Sequence, residues 1–171
     1  MAISLAPFVP SPHEVVKRML EIAAVGNNDT VFDLGCGDGR VLIAAVKDFG
    51  AQKAVGFEMR EDLYKQAMQE ISKQGLENKI SIINNDVFTG NLSEATVVTL
   101  YLTTSGNERL KPKLASETLK GTRIVSHDFE ITSWHPSKRE SFYGHTLYLY
   151  TIPEAISINE EKSSIFKRFS F

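Results

Sequence analysis

Three carboxylates and a run of glycines carry the first chemical signal. In VFDLGCGDGR, residues 31–40, Asp33 ends an apolar stretch and Gly35, Gly37 and Gly39 follow at alternate positions. Glycines so spaced let backbone come close to a ligand and adopt positive φ. A helix starting directly behind them offers unpaired N–H groups that favour an anionic ligand group. Glu58 comes 23 residues after Gly35, where an acid closing the next strand can accept hydrogen bonds from both hydroxyls of a ribose. Asp86, in NNDVF, closes a third apolar run. A carboxylate there can reach an adenine amino group, with Val87 beside it and Phe88 able to pack on the ring face.

A nicotinamide dinucleotide does not fit this pattern. Its fingerprint needs a third glycine at position 40, which is Arg40. A carboxylate at Asp33 would also repel a pyrophosphate, whereas it suits an α-ammonium group. A ligand with an amino-acid cation, a ribose and an adenine but no polyphosphate is S-adenosylmethionine. The plainer reading, in which Asp33 and Asp86 merely cap turns, does not explain why three acids recur at three successive strand ends.

The elements that must position these residues follow from periodicity. SPHEVVKRMLEIAAV reads as a helix, with Ser11 as N-cap, Pro12 in its first turn, and Glu14 completing a capping box. DTVFDLG is a buried strand and GRVLIAAVKDFG a helix ending at Gly50. KAVGFE, REDLYKQAMQEISKQG, KISIINND and ATVVTLYL continue as strand, helix, strand, strand. NERLKPKLASETLKG reads as a helix interrupted at Pro112, with a fresh start near 111. TRIVSHDFEI is a fifth strand, and RESFYGHTLYLYTI alternates like a hairpin turning at Gly144. The expected fold class is α/β: a mostly parallel sheet with helices on both faces and a C-terminal antiparallel hairpin. In such sheets a ligand lies beyond the C-terminal strand ends, where strand order reverses.

Composition narrows the class further. At 171 residues the chain is most simply one domain, spanning 1–155, with 1–25 as an N-terminal segment and helix and 156–171 as a tail. The tail ends in IFKRFSF, whose aromatics with Lys167 and Arg168 could dock on the domain itself or on a partner. Nineteen basic side chains against 21 acidic ones leave a formal net charge of −2, so no global basic field calls for nucleic acid. The single cysteine, Cys36, forbids an intrachain disulfide and a cysteine-rich metal site, and no metal is expected. MAISLAPFVPSP lacks the charged and apolar regions of a signal peptide, and no stretch is long and apolar enough to span a bilayer. A cytoplasmic protein without a membrane partner is expected.

The assembled pattern resembles the seven-stranded class I S-adenosylmethionine-dependent methyltransferases. VFDLGCGDGR is similar to their first motif, GFE to their strand-2 acid and NNDVF to their strand-3 acid. The resemblance implies a three-layer, Rossmann-like, seven-stranded sheet with Asp33, Gly35, Gly37, Glu58 and Asp86 against the cofactor. A narrower resemblance rests on PFVPSPHEVVKRMLEIA, ATVVTLYLTTSGNERLKPKL, GTRIVSHDFE and HTLYLY. These look like the small archaeal-type, non-SET protein-lysine methyltransferases. That likeness implies that the segment carrying Phe8, Val9, Pro10, Ser11 and Pro12 folds over the cofactor. This chain has Phe8 and Ser11 where the family usually has tyrosine and threonine. It also implies a protein partner with accessible lysines. Nucleic acid stays open as part of a substrate complex, and no feature sets an oligomeric state.

The acceptor side is less defined. TLYLTTSGN after strand 4 lacks the Asn or Asp, Pro-Pro and aromatic typical of base-amine methylation, and no cysteine stands there as a nucleophile for a cytosine ring. Tyr101 is the chosen catalytic residue, as an aromatic channel wall whose hydroxyl could orient an amine or a water. The bland alternative makes it a core aromatic. His127 could assist proton transfer or be purely structural, and His145 reads as structural. Asp128 and Glu130 could attract a basic peptide, and Trp134 could grip substrate or cover the sheet edge. The rival functions are methylation of RNA or a small molecule, and a cofactor-binding module without catalysis.

Overall fold

The computed structural model describes residues 6–156. Seven strands form one sheet in the order β3-β2-β1-β4-β5-β7-β6. β1 (Thr30–Leu34), β2 (Lys53–Phe57), β3 (Ile80–Ile83), β4 (Val97–Leu100) and β5 (Arg123–His127) are parallel to one another. β7 (His145–Thr151) inserts antiparallel between β5 and the edge strand β6 (Lys138–Phe142). Strand order reverses between β1 and β4, so the crevice lies beyond Leu34 and Leu100.

β1 and β4 are buried along almost their whole length, as strands covered on both faces must be. α1 (His13–Ile22), α2 (Arg40–Lys47) and α3 (Glu61–Lys73) cover one face through Leu20, Leu42 and Ile71. α4 (Thr104–Glu117) covers the other, setting Leu110 and Leu114 against Leu34, Leu100 and Ile124. The result is three layers with the seven-stranded sheet in the middle. Tyr143 and Gly144 turn the terminal hairpin with φ of 48° and 79°, the two left-handed residues that a tight two-residue turn requires. Among the described residues, no helix is long and apolar enough to cross a membrane.

Three local expectations are corrected. α1 starts at His13 behind Pro12, and Ser11 makes no cap: its hydroxyl is bonded to His127 Nδ1 at 2.8 Å instead. A tertiary partner has outcompeted the local one. Pro112 does not divide α4, because one lost backbone bond is outweighed by Leu110 and Leu114, buried on either side of it. Asp86 does not close β3. It stands three residues beyond Ile83, where its carboxylate accepts from Phe88 N at 3.1 Å and starts a 3₁₀ turn, Val87–Thr89. The IFKRFSF tail lies outside the described residues.

Candidate active site

The glycine turn sets the floor of the site. Gly35, Gly37 and Gly39 have φ of 93°, 54° and 82°, a left-handed succession that side-chain-bearing residues rarely adopt. A Cβ on Gly37 would stand 2.5 Å from the Phe8 ring, so the bare backbone is what admits the covering segment. Gly35 N and Cys36 N both donate to Phe57 O at 2.9 Å, locking the turn to β2. Burial, reinforced by the neighbouring Asp33 and Glu58 carboxylates, pushes the Cys36 thiol well up. That leaves Cys36 a packing residue rather than a nucleophile.

A cavity of about 290 Å³ opens over this turn, near the lower end of the ~300–1,000 Å³ usual for small-molecule sites. Its walls include Ser11, Asp33, Gly35, Gly37, Glu58, Asp86, Val87 and Tyr101. Pro12 and Phe88 are not among its wall residues; Phe88 lies under the Arg109 guanidinium, 5.3 Å from its ring centroid. The three acids thus reach one cavity from the end of β1 and from the segments that follow β2 and β3.

Their environments differ. Asp33 is 6% exposed, and Thr99 Oγ1 on β4 donates to it at 2.8 Å. Burial raises its pKa to about 7, against the lowering effect of the Thr99 bond, and the Glu58 and Asp38 charges push the same way as burial. A cationic ligand end would restore the ionised form. Glu58 accepts from Gly37 N at one oxygen and Arg60 N at the other, each at 2.9 Å. Each carboxylate oxygen has a second lone pair, so ribose hydroxyls can still be accepted. Asp86 retains acceptor capacity beside its turn bond. The buried acid near the turn, the bifunctional acid after β2, and the glycine cradle fit an α-amino acid joined to a nucleoside.

Residues 6–11 roof the cavity. Phe8 is 40% exposed, so it lies as a flap with one face on Gly37. Arg40 holds this strap: its Nη1 donates to Ser11 O at 2.9 Å, and a fork to Asp38 fixes the guanidinium. Arg40 entered the sequence reading only as an absent glycine, and nothing in its neighbours indicates a partner 29 positions earlier. Thr99 was missed for the same reason: its bond to Asp33 depends on the register of β1 against β4.

The acceptor side collects residues from more distant segments. Tyr101, one residue past β4, stacks on His127 with ring centroids 3.8 Å apart and planes at 28°. His127 ends β5, fully buried, and burial lowers its pKa to about 4, with opposing attraction from Asp128. It is a neutral imidazole at physiological pH. Its Nε2 lies 2.9 Å from His145 Nδ1, which lies 2.9 Å from Asp128 Oδ2. Asn107, buried in α4, donates to Phe129 O at 3.1 Å and shapes the loop beyond. Trp134 is buried edge-on against Tyr150 and covers the sheet rather than facing a ligand. Glu130 and His13 stand apart from the cavity.

Residues 33–138 match the family model of the ANTKMT methyltransferase domain. A protein-lysine N-methyltransferase from Saccharolobus islandicus is 49% identical over 152 residues, 86% of this chain and 94% of the relative. The adenine nucleotide translocase lysine N-methyltransferase of Mus musculus is 28% identical over 76% of this chain; the alignment spans about half of it, 56%. A crystal structure described as an RNA methyltransferase from Salinibacter ruber, in complex with S-adenosyl-L-homocysteine, superposes with a TM-score of 0.83. It is 44% identical and covers 86% of this chain and 96% of that one. The chain belongs to the ANTKMT-type family of S-adenosylmethionine-dependent methyltransferases.

Proposed function

We propose, from membership of this family, that the chain transfers methyl groups to lysine ε-amines of a protein partner and works in the cytoplasm. The supporting observation is the acceptor wall: one tyrosine stacked on a neutral buried histidine, with no amide-and-proline element to grip a nucleobase. The relative from Saccharolobus islandicus, matched over nearly its whole length, supports the same acceptor.

Asp33, Gly35, Gly37, Glu58, Asp86 and Val87 would hold the cofactor, with Ser11 in the roof. When bound, S-adenosylmethionine supplies a sulfonium-activated methyl group. The chain's own work is alignment and exclusion of water. Phe8 and the Arg40-held strap close the site from above. Tyr101 walls the approach to the crevice, with its hydroxyl free to orient an amine. A lysine amine reacts only when neutral, and its ordinary pKa is about 10.4. An aromatic, water-poor channel disfavours the ammonium form, so desolvation does part of the deprotonation. Asp128 and Glu130 give the surface beyond Tyr101 a negative character suited to a basic peptide.

RNA methylation is the second reading, favoured by the description of the Salinibacter ruber protein. A net charge of −2 argues against it. Incubation of full-length protein with methyl-labelled cofactor and native cell extract separates the two. Label lost on protease treatment and assigned by mass spectrometry to methyl-lysine is the expected result. Label lost on ribonuclease treatment instead would overturn the lysine assignment.

A further inference from the structure

We propose that His127, Asp128 and His145 form a binding site for a divalent zinc-class cation, where the end of β5 meets the start of β7. The proposal goes beyond the methyl-transfer reading and does not depend on it. The three atoms involved, His127 Nε2, His145 Nδ1 and Asp128 Oδ2, form a closed triangle with edges of 2.9, 2.9 and 3.3 Å. Zinc binds imidazole nitrogen and carboxylate oxygen at ~2.0–2.2 Å, so two ligands on one ion stand roughly 2.9 Å apart at a right angle and roughly 3.4 Å apart at the tetrahedral angle. All three edges fall in that range.

No placement of protons gives all three edges of the triangle a donor–acceptor match. A carboxylate brings no proton, and a neutral imidazole brings one, on one of its two nitrogens. If His127 Nε2 is protonated and His145 Nδ1 is not, the 2.9 Å edge from His145 to Asp128 sets lone pair against lone pair. With the protons reversed, the His145 N–H is shared between His127 Nε2 and Asp128 Oδ2, and the 3.3 Å edge carries no proton. With both protonated, N–H faces N–H across the 2.9 Å edge between the rings. One cation above the triangle satisfies all three atoms at once.

The surroundings are those of ligands held in position by outer partners. Ser11 Oγ lies 2.8 Å from His127 Nδ1 and can accept its N–H, which turns the Nε2 lone pair toward the triangle. Thr146 N donates to Asp128 Oδ1 at 2.9 Å, leaving Oδ2 free to coordinate. Tyr101 clamps the His127 ring from one face. The His145 and Asp128 side chains are each 29% exposed, giving an ion an entry path and open positions for water. Two imidazoles with one carboxylate select a zinc-like ion over magnesium or calcium, which prefer all-oxygen sites. The ion would tie the Ser11 strap to the β5–β7 edge, and so fix the wall behind Tyr101.

Chelator-treated full-length protein, titrated with zinc by calorimetry and with cobalt by visible absorption, tests the site. One ion per chain at micromolar or tighter affinity is expected, with a cobalt ligand-field band. His145→Ala and Asp128→Asn should each weaken binding by about a hundredfold or more, and Ser11→Ala by about tenfold. His145 is partly exposed at the start of β7, so that variant should keep the wild-type circular dichroism spectrum. Absence of zinc uptake, or an affinity that His145→Ala and Asp128→Asn leave unchanged, overturns the proposal.

Discussion

The two halves of the crevice are built on different principles. On the cofactor side, the turn from Asp33 to Gly39 and the acid Glu58 act through short backbone segments, and Gly37 N reaches Glu58 within 21 positions. On the acceptor side, Ser11 meets His127 across 116 positions, and His127 meets His145 across 18. Backbone approach, positive φ and an acid after a strand are properties a short motif can encode. A constellation of side chains from β4, β5, β7 and the roofing strap needs the whole sheet to be assembled first.

That contrast can be broken by substitution. Glu58→Ala should have the largest effect, because it removes the partner of both Gly37 N and Arg60 N together with the proposed ribose acceptor. Cofactor affinity by calorimetry should fall about a hundredfold or more, consistent with losing two or more hydrogen bonds to a charged group at ~1.5–3 kcal/mol each. An affinity within a few-fold of wild type would move Glu58 out of the cofactor side.

Asp33 gives the next effect, through pH. Its folded pKa of about 7 lies above the ordinary 3.8. A carboxyl raised in this way stabilises the fold fully below the ordinary value and loses that contribution as pH rises through about 7. The ligand-free protein should therefore lose stability from this group between about pH 4 and pH 7, a slope that Asp33→Asn lacks. Pairing with a cationic ligand end needs the ionised form. Cofactor affinity should then rise roughly tenfold from pH 6 to pH 8, as expected for a single group titrating near 7. A pH-independent affinity in the wild type would remove Asp33 from contact with the ligand cation.

Tyr101→Phe probes the other half. The stack on His127 is preserved and only the hydroxyl is lost, so turnover should fall roughly fivefold, the worth of about one hydrogen bond. Cofactor affinity should not change. Equal loss of both would show that the acceptor and cofactor sides are not separable at this residue. Arg40→Ala should give the smallest effect: the strap loses its anchor on Ser11 O, and cofactor release measured by stopped flow should quicken roughly threefold. Unchanged release would mean that packing of Phe8 on Gly37 alone holds the roof.

Residue types and spacing determined the alternation of strand and helix, the Gly144 hairpin, and the placing of Asp33 and Glu58 at the ends of successive strands. Each follows from a local rule: burial period, positive φ, or an acid in the turn after a strand. Tertiary structure alone decided what Ser11, Arg40, Pro112 and His145 do. Ser11 is drawn from a helix cap to His127, Arg40 reaches back to the strap, and Leu110 and Leu114 are buried on either side of the proline in a continuous α4. His145, which reads locally as a hairpin residue, completes a three-atom cluster with His127 and Asp128. A side chain's local preferences are worth about a kilocalorie per mole, and a partner made available only by strand order and register outweighs them.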